Sequence, residues 1–212
     1  MAEPSSETIT QKPRIPMLKH APQTTEETRR SLKWRVVDIA VGAAVGVMSG
    51  VMFWVFDGMS YGLFPLLTLI LPGSAALLHA LFYFPATLGL LIVRKPGASA
   101  YVLLVASFVE VVLGTKYSVS LVVIALVQAL ALFRSRRWTP GVTLLAALAV
   151  GIVYNFYLLF FYYQAFSFFS PRGLIGTACE LLSAVVFAGF GSWVLYRALA
   201  KSGVLTRFAS GR

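Results

Sequence analysis

Of the side chains on which most protein chemistry is built, the chain has few: one cysteine, two histidines and eight acidic residues in 212. The lone Cys179 can form neither an internal disulfide nor a cysteine metal cluster, which excludes a secreted disulfide scaffold and a zinc ribbon. Charged residues make up 12% of the chain, about half of the ~25% usual in a soluble domain. No P-loop, HExxH, GxSxG or CxxC occurs, so no known signature of nucleotide hydrolysis or hydrolase catalysis is present. No short apolar run with a small-residue cleavage site follows Met1 closely, which excludes an ordinary secretory signal.

What is abundant is apolar surface. The chain is 58% hydrophobic with a mean hydropathy of +0.79, too much to bury in a soluble fold of this length. An all-α integral membrane protein is expected. Residues 1–35 are rich in Pro, Thr, Gln and charge, the composition of a disordered, basic cytoplasmic tail. A membrane domain follows over residues 36–200, and a basic cytoplasmic tail over 201–212. Spanning helices are expected at about 36–56, 73–93, 99–114, 117–133, 140–162 and 173–196, six in all. The apolar stretch 59–71 is too short to cross ~30 Å of hydrocarbon at ~1.5 Å per residue. It ends in Leu71-Pro72-Gly73, which halts a helix, and reads as a re-entrant or lid-like segment.

The formal net charge is +10, and its distribution sets the topology rather than pointing to nucleic acid. With both termini inside, the tail contributes Lys12, Arg14, Lys19, Arg29, Arg30, Lys33 and Arg35 to the cytoplasmic side. Arg94, Lys95, Arg134, Arg136, Arg137, Arg197, Lys201, Arg207 and Arg212 fall on the same side, leaving only Lys116 and Arg172 of the 18 basic residues outside. A seventh span at 59–71 would scramble this pattern.

Polar residues at membrane depth are the candidates for function, because a charge there costs at least ~2.5–3.5 kcal/mol and normally faces a cavity or a partner. Counted from the helix ends, His79, Glu110, Asn155 and Glu180 share one layer roughly 6–11 Å below the outer surface. Trp54 and Tyr154 add aromatic faces at similar heights. Carboxylates with aromatic walls suit a flat, cationic or amine-bearing ligand. Packing roles compete for each residue: a hydrogen-bonded His79, an Asn155 that bridges helices, and glutamates paired with Lys116 or Arg172. On the first helix Gly42, Gly46 and Gly50 recur every four residues beside Ala40 and Ala44. Such a stripe permits close approach of another helix, either within the chain or from a partner subunit.

Several stretches carry a family resemblance. Arg94-Lys95-Pro96-Gly97-Ala98, Phe108-Val109-Glu110-Val111-Val112-Leu113-Gly114, Arg134-Ser135-Arg136-Arg137-Trp138 and the tail from Ser202 to Arg212 resemble the S components of energy-coupling-factor vitamin transporters. The similarity is to the YkoE-type thiamine/hydroxymethylpyrimidine branch and spans nearly all of residues 35–212. It implies six helices, an outward-facing pocket for a small vitamin and no catalytic residue, cofactor or metal. It also implies a membrane coupling subunit docked on the small-residue stripe and two ATPase domains that supply ATP hydrolysis. Glu110 and the turn at Gly114 carry over from the family, which puts Lys116 and Tyr117 beside the pocket. Thr115-Lys116-Tyr117 departs from the family pattern, and a lysine there disfavours a cationic ligand. The competing readings are an intramembrane enzyme using Glu110, Glu180 and His79, and a structural accessory membrane protein.

Overall fold

The computed structural model describes residues 33–114, 139–162 and 169–205. The expected fourth helix at 117–133, residues Lys116 and Tyr117, and most of both tails lie outside these residues. Every regular element among the described residues is helical. They are α1 (Val36–Ile70), a 3-10 turn (Ser74–Leu78), α2 (Ala80–Val93), α3 (Ala98–Val112), α4 (Pro140–Tyr157), α5 (Pro171–Ser183) and α6 (Ser192–Lys201). A π-helical turn, Leu158–Tyr162, extends α4, and a longer π stretch, Ala184–Gly191, joins α5 to α6. Among the described residues, four continuous runs are long and apolar enough to cross a membrane: Val36–Ile70, Ser74–Val93, Pro140–Phe160 and Pro171–Lys201. The shorter α3 is also apolar.

The first helix differs from expectation. Instead of stopping near Asp57-Gly58, α1 runs unbroken for 35 residues and takes in the segment expected to stand apart. A single glycine costs a helix only about 1 kcal/mol, whereas an open backbone in hydrocarbon costs several. Pro65 removes one donor, and the Thr68 hydroxyl donates back to the carbonyl oxygens of Phe64 and Pro65, both at 2.9 Å. The helix ends where Leu71, preceding Pro72, adopts extended geometry. Gly73 then takes a left-handed φ of 96°. At ~1.5 Å per residue α1 is roughly 52 Å long, well beyond ~30 Å of hydrocarbon.

The α1 glycines are used inside the chain. Gly42, Gly46 and Gly50 are all buried, and each faces α3. A Cβ at Gly46 would lie 2.7 Å from the Cβ of Val105, and one at Gly50 would lie 2.6 Å from the carbonyl oxygen of Ala106. These three therefore do not form a free docking stripe; Ala40 and Ala44 remain exposed on α1. α2 is the central strut, buried along most of its length and in contact with α1, α3, α4 and α6. It ends at Arg94, which adopts left-handed geometry and donates through its guanidinium to the Tyr196 hydroxyl of α6. Beside it Lys95 Nζ meets Asp38 Oδ2 of α1 at 3.5 Å, and both residues are buried. The Trp34 indole donates to the Pro96 carbonyl at 3.1 Å. The Arg-Lys-Pro-Gly turn thus ties the start of α1 and the last helix to one end of the bundle.

The other end is held by close backbone approach. A Cβ on Gly73 would sit 2.7 Å from the Arg172 carbonyl oxygen and 2.8 Å from the Gly176 nitrogen. Ser183 of α5 donates to the Leu77 carbonyl at 2.6 Å, and its hydroxyl accepts from the Ala80 amide at 3.4 Å. These contacts set the 3-10 turn and the start of α2 directly against α5.

Candidate functional site

That junction brings together His79, at the entry to α2, and Glu180, three turns into α5. His79 Nδ1 lies 2.7 Å from Glu180 Oε2. One turn along α2, on the same face, the Tyr83 hydroxyl donates to Glu180 Oε1 at 2.8 Å. Glu180 and Tyr83 are fully buried, and His79 nearly so. Each carboxylate oxygen thus has its own donor, as a buried carboxylate requires. With Glu180 ionised, Nδ1 carries the proton of this contact. In the neutral ring Nε2 is then an acceptor, and it has no partner among the described residues.

Around this pair stand aromatic faces. Tyr154 of α4 meets His79 edge-on at 5.7 Å and Tyr83 at 5.4 Å between ring centres. Phe64, near the end of α1, approaches His79 at 5.9 Å. Next to them Asn155 Nδ2 donates to Thr177 Oγ1 at 3.0 Å, and that hydroxyl donates to the Gly173 carbonyl at 2.8 Å. A cavity of ≈ 60 Å³ opens here, lined by His79, Glu180, Asn155, Thr177, Thr68 and Arg172 among others. That is room for about four waters. The described residues therefore enclose a small cavity with polar groups in its wall rather than a vitamin-sized chamber.

Of the expected site residues, His79, Asn155 and Glu180 converge on the cavity, and Tyr154 packs against His79 without lining it. Glu110 is buried on α3 but does not line the cavity. Trp54 is half exposed on α1 and does not line it either. Lys116 and Tyr117 lie outside the described residues. Among the described residues the two carboxylate oxygens of Glu180 are held by His79 and Tyr83; Lys116, one of the cations suggested as its packing partner, lies outside them. Sequence reasoning missed Tyr83 and Thr177. Both lie one helical turn from a candidate, at His79+4 and Glu180−3, and that spacing is the signal that would have found them. Thr68 and Arg172 of the lining were not proposed as site residues.

Comparison with known proteins places the chain. A family model described as "ABC-type cobalt transport system, permease component" matches residues 37–153. The Bacillus subtilis (strain 168) protein that bears the name HMP/thiamine permease protein YkoE is 25% identical over 189 residues, covering 84% of this chain and 91% of that one. Among solved structures, an S component of an ECF transporter superposes with a TM-score of 0.70 at 24% identity, covering 84% of this chain and 92% of the other. The arrangement of helices is that of an S component.

Proposed function

Because the chain belongs to the family of permease components of ABC-type cobalt transport systems, and has the fold of an S component, we propose that it is the substrate-capture subunit of an energy-coupling-factor importer. Its ligand in this reading is thiamine or the hydroxymethylpyrimidine precursor, and partner ATPases supply the ATP hydrolysis. The observation that carries the reading is the His79–Glu180–Tyr83 cluster, packed against Tyr154, whose His79 and Glu180 line the cavity. An aminopyrimidine is a flat ring with an exocyclic amine, a double donor. A neutral His79 Nε2 and the Asn155 carbonyl oxygen are two acceptors of the kind that would recognise it. Tyr154 supplies an aromatic face. Glu180 acts as a positioning residue, because both its oxygens are engaged in fixing His79 and Tyr83.

The second half of the proposed site comprises Glu110 with Lys116 and Tyr117, which follow the left-handed turn at Gly114. The last turns of α1 serve as its lid: Phe64 packs against His79, and Thr68 lines the cavity. Residues 117–133 supply the remaining span of a six-helix bundle. Both termini face the cytoplasm, on the strength of 16 basic residues on one side and 2 on the other. The coupling subunit docks on the exposed Ala40 and Ala44 side of α1, where small side chains admit close helix approach. Uptake of labelled thiamine and hydroxymethylpyrimidine by cells expressing this chain with its coupling module tests the reading. Uptake of either, abolished by an inactive ATPase partner, is expected; uptake that persists without the ATPases would exclude it.

A further inference from the structure

Two hydrogen bonds behind Asn155 decide which end of its amide can meet a ligand. Thr177 sits on α5, its hydroxyl oxygen 2.8 Å from the Gly173 carbonyl oxygen one turn back. A carbonyl oxygen can only accept, so the single hydroxyl proton of Thr177 is committed to that contact. The same Thr177 oxygen lies 3.0 Å from the side-chain amide of Asn155 on α4. With its proton already used, Thr177 can only accept there, and the group that Asn155 turns toward it must be the NH₂. Asn155 Oδ1 is the end left over, and it has no hydrogen-bond partner among the described residues. Asn155 is buried, and both it and Thr177 line the cavity.

An asparagine amide donates at one end and accepts at the other, and a half-turn exchanges the two. Left to itself, Asn155 would suit a ligand amine and a ligand carbonyl about equally, by flipping. Here the half-turn would set Oδ1 against the Thr177 oxygen, two acceptors about 3.0 Å apart with no proton between them. Thr177 could supply that proton only by releasing Gly173. Either way a hydrogen bond is forfeited, so the amide is held with its oxygen available. The cavity of ≈ 60 Å³ admits a group the size of a water, which an exocyclic amine and an oxo oxygen both are. Size therefore does not separate them, and the choice falls to the direction of this amide and of His79.

We propose that Thr177 is a specificity-determining residue of the cavity: by locking the Asn155 amide, it selects an aminopyrimidine edge over the same edge with an oxo group in place of the amine. It acts through Asn155 as a positioning residue, in the way that Glu180 acts through His79. The inference rests on the reading that the cavity takes a pyrimidine.

Calorimetric titration of the detergent-solubilised full chain provides the test, with thiamine and hydroxymethylpyrimidine each set against the analogue whose amine is replaced by an oxo group. The wild type should favour the amine form by roughly 100-fold, about tenfold from each of the two acceptors. Thr177→Val keeps the shape and removes the hydroxyl; Asn155 is then free to turn, and the preference should fall to roughly tenfold. Thr177→Ser, which restores the hydroxyl, should restore the preference. A merely structural Thr177 would weaken both forms alike and leave their ratio unchanged in the valine variant, and that result would overturn the proposal. So would a wild type that binds the two forms equally. In both cases tight binding of the amine form would leave the pyrimidine reading standing. A wild type that binds neither compound in either form would remove that reading and the proposal with it. Thr177→Ala provides the same comparison if the valine variant does not fold.

Discussion

Replacing Glu180 by glutamine tests the site at its centre. The side chain keeps its shape, and its carbonyl oxygen still accepts from Tyr83, at 2.8 Å in the native arrangement. On the His79 side, 2.7 Å away, a carboxylate oxygen becomes an amide NH₂. His79 Nδ1 must then accept rather than donate, which moves the ring proton to Nε2. Losing a charge-assisted hydrogen bond of this kind is worth ~1.5–3 kcal/mol. At Nε2 the reversal turns an acceptor into a donor facing a ligand amine. Affinity for hydroxymethylpyrimidine should fall roughly ten- to 150-fold, since each 1.4 kcal/mol is a factor of ten. Calorimetric titration of the detergent-solubilised protein measures the affinity, and ¹⁵N chemical shifts of His79 report the tautomer. Unchanged affinity together with a changed tautomer would refute the role given to His79. An unchanged tautomer would refute the hydrogen-bond argument itself. Glu180→Leu goes further: two buried donors lose their acceptor, at ~1–3 kcal/mol each, and thermal unfolding should show a loss of several kcal/mol.

The other expectations concern packing and topology. Gly46→Ala forces a Cβ to within 2.7 Å of Val105; overpacking of this kind costs about 1–3 kcal/mol, so melting temperature should drop whether or not a coupling subunit is present. Ala44→Leu, on an exposed face, should leave melting unchanged but weaken co-purification with the coupling subunit. Asp38→Leu removes the carboxylate that faces the buried Lys95 and should destabilise the protein by about 3 kcal/mol, read by denaturation in detergent. Cysteines placed at positions 116 and 172 should react with an impermeant thiol reagent from outside the cell, and labelling only after the cells are opened would reverse the topology.

Composition and the positions of basic residues were enough to recognise a helical membrane domain, because hydrocarbon leaves so few alternatives for a backbone. The boundary of α1 was misjudged at Asp57-Gly58, where local helix propensity is weak but no breaker stands. The break came at Leu71-Pro72-Gly73, where proline and a left-handed glycine impose it. Counting depth from helix ends brought His79, Asn155 and Glu180 to one cavity. The same count put Glu110 in that layer, yet it does not line the cavity, since height along a helix says nothing about the direction a residue faces. The glycine stripe on α1 was legible as a site of close helix approach, while its partner was not. The structure gives that partner as α3 of the same chain, through contacts at Val102, Val105 and Ala106. Tyr83 was hidden for a different reason: in an apolar helix a tyrosine looks like packing until its hydroxyl is seen on a carboxylate.

The central claim is that the His79–Glu180 cavity captures a pyrimidine-bearing vitamin. Mass spectrometry of small molecules that co-purify with the solubilised wild-type protein and with His79→Phe tests it most directly. Thiamine or hydroxymethylpyrimidine should be retained in near-stoichiometric amount by the wild type and lost from the variant. A ligand without a pyrimidine, or one retained equally by both proteins, would contradict it.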